Sequence, residues 1–305
     1  TNFLSNSFLK YWKPDLAVFV ESEIWPNFLF NIKKKNIPLI LVNGRFTSKS
    51  FNRWKKIPIF AKKILNNFDM CFIQNNESKR FLQYFNIKSI KDYGNLKFTK
   101  SKLKPAIKNK KILSKIFKNK KIWCASSTHD NEEELIGKVH ISLKKNIKNL
   151  ITIIIPRHIN RVEAIYEKLK LMNLKIQLHS KKSKQKNYDI YLVDVYGETE
   201  NFYRLSNIVF LGGSLIKHGG QNPIEPARQG CKIFHGPNIQ NFREIYDFLK
   251  RLRISRKINN SSQFKKILLN KNNYLPKKIN KHKYLLNSIG NNILNKTFFE
   301  IKKFL

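Results

Sequence analysis

The chain has 305 residues and a formal net charge of +40, from 60 lysine and arginine residues against 20 aspartate and glutamate residues. This length accommodates two domains of ordinary size, and a hydrophobic content of 41% excludes a wholly disordered chain. The lysines are spread along the chain among many asparagines and isoleucines, which is typical of general compositional drift. A functional basic surface, facing nucleic acid, an anionic membrane or a phosphorylated substrate, stays the alternative.

The cysteines Cys71, Cys124 and Cys231 lie far apart in the sequence, without a C-x-x-C pair. This spacing predicts neither a zinc site nor a disulfide framework, and favours buried, reduced thiols. No uninterrupted apolar run reaches the ~18 residues of a membrane span. The sequence begins at Thr1 inside a helix-like segment, and we expect it to belong to a longer chain.

Apolar strand-like runs alternate with helical segments in the first third of the chain. The runs are "LAVFV" (16–20), "IPLILV" (37–42) and "DMCFIQ" (69–74), and the helices are "WPNFLFNIKKK" and about 77–85. This alternation predicts a parallel sheet covered by helices.

The same rhythm returns after a lysine-rich stretch, residues 100–121, which we interpret as an inter-domain connection. The second series of predicted strands covers residues 121–126, 150–155, 188–193, 207–212 and 231–236. We therefore predict an α/β protein of two Rossmann-like domains facing each other across a cleft, with residues 1–103 and 104–305 as their bounds.

Polar residues follow two predicted strands of the first domain. Ligands of parallel sheets bind beyond the carboxyl ends of the strands, where Glu21, Glu23, Asn43 and Arg45 lie. Strand alternation sends Glu21 and Glu23 to the same side. Arg45 is either a substrate contact or the counter-ion of a glutamate.

The second domain has polar strand ends as well. "ASSTHDNEEE" (125–134) offers hydroxyls and His129, and its alternative interpretation is a helix cap with acidic residues in the first turn. Arg157 indicates a ligand or phosphate contact, because burying an unpaired guanidinium is unfavourable. Gly197 and Glu198 precede a predicted helix, where capping is again the alternative.

The stretch "GGSLIKHGGQNPIEPARQG" (212–230) predicts a glycine-rich loop between a strand and a helix. Asn222 suits the N-cap, Pro223 the first helical position, and Glu225 a capping box. Free N–H groups of such a loop and helix start bind anions, phosphate in particular, and the Glu225 carboxylate can accept the two hydroxyls of a ribose. Tight turns with a purely capping Glu225 are the alternative.

Seven motifs carry a family resemblance: "ESEIWPN", "NGRFTSKS", "GNLKF", "ASSTHDNEEE", "IIIPRH", "GE" at 197–198 and "FLGGSLIKHGGQNPIEPARQG…GPNIQNF". In order and approximate spacing, from about residue 10 to 245, they resemble the Kdo transferases. The resemblance implies a GT-B glycosyltransferase of lipopolysaccharide biosynthesis. Such an enzyme moves 3-deoxy-D-manno-octulosonic acid (Kdo) from CMP-Kdo to a lipid A precursor, lipid IVA.

The resemblance also implies roles for individual residues. Glu21 and Lys97 match positions of transition-state stabilisers. The matches to the CMP-binding positions are Pro156, Arg157, Tyr196, Gly197 and Glu198 for the nucleotide, and Asn222, Pro223, Ile224 and Glu225 for its phosphate and ribose. Thr99 and Gln221 depart from the family pattern, where an acidic residue and a histidine are common.

By the same resemblance, the partners are CMP-Kdo, a lipid A precursor and the anionic cytoplasmic face of the inner membrane, with no metal and no nucleic acid. Family members carry a membrane-associating segment and a general-base glutamate upstream of the position of Thr1. We therefore expect the first domain to be incomplete, and these 305 residues to bind donor but to transfer Kdo slowly or not at all. Another GT-B enzyme and a basic nucleic-acid-binding protein are the alternatives.

Overall fold

A computed structural model describes residues 2–99, 110–181, 187–270, 274 and 279–305. The chain forms two compact units, Thr1–Lys100 with Asn287–Leu305, and Ser101–Leu286. Residues 100–109 of the predicted connection lie outside the described residues. Its next part, Lys110–Ile116, is a helix.

The first unit is built on a parallel sheet in which the described residues supply four strands in the order β1-β2-β3-β4. The strands are β1 Ala17–Val20, β2 Leu39–Gly44, β3 Met70–Ile73 and β4 Ile90–Asp92. The helices are α1 Asn2–Trp12, α2 Pro26–Lys34, α3 Ser48–Trp54, α4 Pro58–Leu65 and α5 Asn76–Tyr84, and a 3₁₀ turn spans Leu96–Phe98.

Local sequence explains where several of these helices begin. Pro26 and Pro58 stand in the first turns of α2 and α4, where their missing N–H groups have no helical partner to lose. The side chain of Asn75 caps α5 by accepting a hydrogen bond from the Ser78 N–H at 2.8 Å.

Strand β1 differs from the expectation that "LAVFV" is buried. It lies at the edge of the sheet, and Val18 and Val20 are 46% and 49% exposed. Ala17 and Phe19, on the opposite face, pack against the core. Only one face of this strand is covered, so its continuous apolar run does not mean burial on both sides.

The end of the chain belongs to the first unit, whereas the sequence predicted a second domain extending to residue 305. Helix α13, Ile279–Ile301, leads to a 3₁₀ turn at Lys302–Phe304. Ile301 and Phe304 pack against Ile40, Val42 and Phe72 of the sheet. The apolar face of β2 and β3 therefore recruits a helix that sequence distance assigned to the other domain.

The second unit contains a larger parallel sheet. Its helices are α6 Lys110–Ile116, α7 Glu132–Lys144, α8 Val162–Leu171, α9 Thr199–Leu205, α10 Ile224–Arg228, α11 Arg243–Arg251 and α12 Ser261–Leu269, with a 3₁₀ turn at Ile159–Arg161. Its strands are β5 Lys121–Thr128, β6 Leu150–Pro156, β7 Ile176–Leu178, β8 Ile190–Leu192, β9 Ile208–Leu211, β10 Lys232–His235 and β11 Ser255–Lys257.

In the described residues this sheet has seven strands in the order β11-β10-β9-β5-β6-β8-β7. The chain leaves β5 towards β6 on one side and later returns to pair β9 on its other side. This reversal makes a topological switch point between the carboxyl ends of β5 and β9, the place where ligands of open parallel sheets bind.

Both sheets are parallel, which confirms the predicted α/β class. The predicted buried, reduced thiols are also confirmed, since the three cysteines are free and buried. Burial raises the pKa of the Cys71 thiol to about 12. Among the described residues, no helix has both the length and the apolar character that a membrane crossing requires.

Candidate functional site

The two residues predicted to be catalytic meet in the first unit. The Lys97 Nζ lies 2.8 Å from the Glu21 Oε1, and the two side chains are 26% and 38% exposed. Residues separated by most of the first unit thus form a half-exposed ion pair beyond the carboxyl ends of the strands.

An unusual backbone conformation holds Glu21 in place. Its φ is +58°, a left-handed conformation that is unfavourable by roughly 1–2 kcal/mol for a residue other than glycine. Its N–H donates to the Val42 carbonyl at 3.0 Å, and its carbonyl accepts from the Arg45 N–H at 3.2 Å. Backbone strain of this kind at a strand end supports a functional role for Glu21.

Asn43 and Asn95 position the other half of the pair. Asn43 is buried, has a φ of +55°, and accepts a hydrogen bond from the Leu96 N–H at 2.9 Å. Asn95 accepts from the Lys97 N–H, also at 2.9 Å. The motifs "NGRFTSKS" and "GNLKF" therefore join to build the turn that carries Lys97.

Glu23 does not share this arrangement. It accepts a hydrogen bond from the Trp25 indole N–H at 3.0 Å. The alternation that predicted Glu21 and Glu23 on one side ends with β1 at Val20, because the left-handed Glu21 interrupts the extended backbone.

The glycine-rich loop of the second unit corrects a prediction. The N–H groups of Gly213, Ser214 and Leu215 donate to the Glu132 carboxylate at 2.8, 3.2 and 3.1 Å, and the His129 N–H donates to it at 3.0 Å. Glu132 is 1% exposed. These loop N–H groups are therefore not free to bind phosphate, because a carboxylate of the chain itself already occupies the anion position.

Burial raises the pKa of Glu132, and the hydrogen bonds from the backbone N–H groups oppose this effect. Glu132 lies in the first turn of α7, as the alternative interpretation of this motif expected, but it has a further role. It ties the start of α7 to the loop after β9. Sequence reasoning missed this role because the partners lie more than 80 residues apart.

The glycines themselves have packing reasons. A Cβ on Gly212 would lie 2.6 Å from the Glu132 Oε2 and would overlap the Ser127 carbonyl oxygen. Gly219 has a φ of +108°, and a Cβ there would overlap the Asn241 amide. The close approach of neighbouring protein atoms, and not ligand binding alone, therefore requires glycine at positions 212 and 219.

Helix α10 begins at Ile224, one residue later than predicted. Pro223 is its N-cap, and the Asn222 Oδ1 accepts from the Ile224 N–H at 3.0 Å. The predicted N-cap at Asn222 and first helical position at Pro223 are wrong, because the Asn222 side chain makes a turn that closes on the N–H of Ile224, the first residue of the helix. Glu225 is exposed in the first turn of this five-residue helix.

Two of the segments predicted to bind nucleotide approach each other through Glu200. The Glu200 Oε1 accepts from the Gln229 Nε2 at 2.8 Å and from the Arg204 Nη2 at 2.7 Å. Although Glu225 keeps access to solvent, partial desolvation and the charge of Glu200 raise its pKa. Glu198 accepts from the Asn201 amide at 2.6 Å, so the start of α9 and the start of α10 form one acidic region.

The remaining predicted contacts lie at strand ends and on the surface. Pro156 ends β6 and pairs with Thr128, and the Arg157 N–H donates to the Thr128 carbonyl at 3.0 Å. Arg157 is exposed, and within the described residues its guanidinium has no polar partner. Tyr196 is 68% exposed. Both side chains are accessible to a ligand.

Within the described ranges, no set of three or more histidine, cysteine, aspartate or glutamate side chains is placed to hold a metal ion. The arrangement in the first unit combines an acid and a base of opposite charge, and the second unit presents an accessible cation at the end of β6. Such groups suit a substrate that carries an anion.

Known proteins of one family are similar to this chain in sequence. Residues 1–100 match the model of the 3-deoxy-D-manno-octulosonic-acid transferase (kdotransferase) family. The chain is 37% identical over 243 residues to a 3-deoxy-D-manno-octulosonic acid transferase of Rickettsia bellii, with 78% of this chain and 57% of the relative covered. It is 34% identical over 314 residues to the transferase of Rickettsia prowazekii, with coverages of 99% and 66%.

Two solved structures are similar to this chain in fold. The C-terminal CMP-Kdo binding domain of WaaA from Acinetobacter baumannii is 26% identical, with a TM-score of 0.51, and the match covers 62% of this chain and 97% of that one. A UDP-N-acetylglucosamine 2-epimerase from Listeria monocytogenes shares the fold at 16% identity and a TM-score of 0.60, with coverages of 98% and 78%.

The fold is therefore of the α/β, GT-B-like class. With the family model and the curated relatives in agreement, this chain belongs to the 3-deoxy-D-manno-octulosonic acid transferase family. It spans about 57% to 66% of the length of the two rickettsial relatives.

Proposed function

We propose that this chain belongs to a glycosyltransferase that moves Kdo from CMP-Kdo to a lipid A precursor, lipid IVA, during lipopolysaccharide biosynthesis. The observation that carries the proposal is the 2.8 Å contact between Glu21 and Lys97. The two residues were singled out by family motifs, and they meet inside the segment that matches the family model.

The chemistry of sugar transfer explains why such a pair is useful. As the acceptor hydroxyl bonds to the anomeric carbon and gives its proton to the general base, the bond from that carbon to the CMP phosphate oxygen breaks. Positive charge develops on the sugar ring and negative charge on the departing CMP. In our proposal the Glu21 carboxylate stabilises the first charge and the Lys97 ammonium the second, while the ion pair keeps both side chains in position before the reaction.

Donor binding is assigned to the second unit. Arg157, accessible at the end of β6, provides a charge-assisted hydrogen bond to the nucleotide next to Pro156. Tyr196, Gly197 and Glu198 precede α9 and complete the nucleotide contacts. The phosphate and ribose are held by four consecutive residues, Asn222, Pro223, Ile224 and Glu225. The Glu225 carboxylate accepts hydrogen bonds from the ribose hydroxyls.

We further propose that the donor binds without a metal ion, and that the enzyme works at the cytoplasmic side of the inner membrane. The membrane location is supported by the net charge of +40, which favours binding to an anionic surface and to a phosphorylated acceptor. Nucleic acid is not a proposed partner.

Calorimetric titration with CMP and with UDP tests the donor assignment. We expect CMP to bind, to bind equally well in EDTA, and to be displaced poorly by UDP. Tight UDP binding without CMP binding would instead identify a GT-B enzyme with another donor. Salt-sensitive DNA binding without any nucleotide affinity would identify a nucleic-acid-binding protein, and loss of CMP binding in EDTA would refute the metal-free site.

A further inference from the structure

His129 has a ring nitrogen that is buried and unused. The residue lies directly after β5 and is 9% exposed. Its Nδ1 lies 3.0 Å from the Ser127 carbonyl oxygen, and its Nε2 has no hydrogen-bond partner in the described structure. Buried polar atoms are nearly always paired, so an orphan at a strand end requires an explanation.

The hydrogen bond to Ser127 determines the chemistry of the unused atom. A carbonyl oxygen only accepts hydrogen bonds, so the proton of the neutral ring must be on Nδ1. Desolvation, followed by the nearby His218, lowers the pKa of His129 to about 4, which keeps the ring neutral. The Nε2 therefore carries a lone pair, which can accept a hydrogen bond from a donor.

The backbone around His129 is shaped around this ring. The pairing of β5 with β6 shifts register between Ser126 and Thr128, and Ser127 has a φ of +54°. This strained conformation directs the Ser127 carbonyl at the ring, and strain at such a place indicates function. The ring also lies beside Gly213 after β9, at the switch point of the sheet.

A second histidine, His218, packs against the His129 ring. The centroids of the two imidazole rings are 4.2 Å apart. His218 is exposed, and in the described residues its ring makes no hydrogen bond. Few interactions therefore hold the His218 ring in place beside His129.

We propose that His129 is a sugar-binding residue of the donor site, an inference that rests on the function proposed above. In this proposal a hydroxyl of the Kdo moiety donates a hydrogen bond to the His129 Nε2. The phosphate and carboxylate of CMP-Kdo only accept at neutral pH, and the ribose hydroxyls are assigned to Glu225. The donors that remain are the cytosine amino group, which CMP and CMP-Kdo share, and the sugar hydroxyls, which only CMP-Kdo carries. The affinity ratio of the two ligands therefore distinguishes them.

Two substitutions separate the two nitrogens of the ring. His129→Asn retains an N–H donor near the position of Nδ1, for the Ser127 carbonyl, and removes the acceptor at Nε2. His129→Gln places a side-chain oxygen or nitrogen near the position of Nε2. The measurement is the ratio of the affinities for CMP-Kdo and for CMP, by calorimetry on the 305-residue chain, since only CMP-Kdo carries the sugar.

For His129→Asn we expect this ratio to fall by about three- to tenfold, the worth of one neutral hydrogen bond, with CMP affinity unchanged. His129→Gln should stay within about twofold of the unsubstituted chain. An unchanged ratio in His129→Asn overturns the inference, and so does an equal loss of CMP and CMP-Kdo affinity. If the unsubstituted chain binds neither ligand, the proposed function itself fails.

His218→Ala tests the neighbouring ring. If the sugar contact belongs to His129, removing the His218 ring should leave CMP-Kdo affinity unchanged or raise it. A loss of CMP-Kdo affinity as large as that of His129→Asn would assign the sugar contact to His218, and would refute the role of the His129 Nε2.

Discussion

Replacing Glu132 by glutamine should loosen the loop that follows β9, although the two side chains have the same shape. The Oε2 of Glu132 accepts from the N–H groups of Gly213 and His129, and the Oε1 accepts from those of Ser214 and Leu215. Glutamine has one amide nitrogen in place of one of these oxygens. Whichever way the amide turns, two N–H groups then face another donor.

The size of the effect follows from this count. Hydrogen bonds to a charged group are worth about 1.5–3 kcal/mol each, so losing two gives a gross loss of roughly 3–6 kcal/mol. Removing a buried charge offsets part of this loss, because an ionised carboxylate is unfavourable in a desolvated site. We therefore expect the free energy of opening of this loop to fall by about 3 kcal/mol, the lower end of that range.

Hydrogen exchange read by mass spectrometry on peptides that contain residues 213–215 measures this change in the second unit alone. Glu134→Gln is the matched control on the same helix, because the Glu134 carboxylate makes a surface ion pair with Lys168 at 3.0 Å and is 40% exposed. Such a pair contributes below about 1 kcal/mol. Equal protection of the loop amides in Glu132→Gln and Glu134→Gln would refute the structural role of Glu132.

Arg157→Ala should weaken CMP binding by about 1.5–3 kcal/mol, the worth of a charge-assisted hydrogen bond, and unchanged affinity in calorimetry would remove Arg157 from the site. Glu225→Gln should lower CMP affinity but leave inorganic phosphate binding nearly unchanged, whereas a parallel loss would mean that the start of α10 is disturbed. Burial lowers the pKa of His140 from its usual 6.5 to about 4, so between these values the unfolded chain binds more protons than the folded one. Stability of the second unit should therefore fall as the pH drops from 6.5 towards 4 in hydrogen exchange, and a pH dependence that His140→Gln leaves unaltered would contradict this assignment. The chain should sediment with phosphatidylglycerol vesicles at low salt and be released at high salt, and failure to bind at low salt would exclude a membrane role for its charge.

Much of the fold follows from local sequence. The apolar runs near residues 40, 72, 124, 153 and 210 are strands in the structure, because β-rich apolar segments between helices can bury both faces only inside a parallel sheet. Of the four three-residue strands in the described residues, Ile190–Leu192 lies inside a predicted strand, whereas Ile90–Asp92, Ile176–Leu178 and Ser255–Lys257 were not predicted. They are too short to carry a periodic pattern, and pairing with a neighbouring strand defines them.

The sequence by itself also determined which strand ends carry polar residues, and its motifs named Glu21, Lys97 and Arg157 as candidates. Only the tertiary structure decided which partners these motifs have. It joins Glu21 to Lys97, and it fills the glycine-rich loop with Glu132 where a free anion site was expected. Contacts between groups 76 to 83 positions apart depend on how the strands and helices pack, and a local pattern contains no information about that packing.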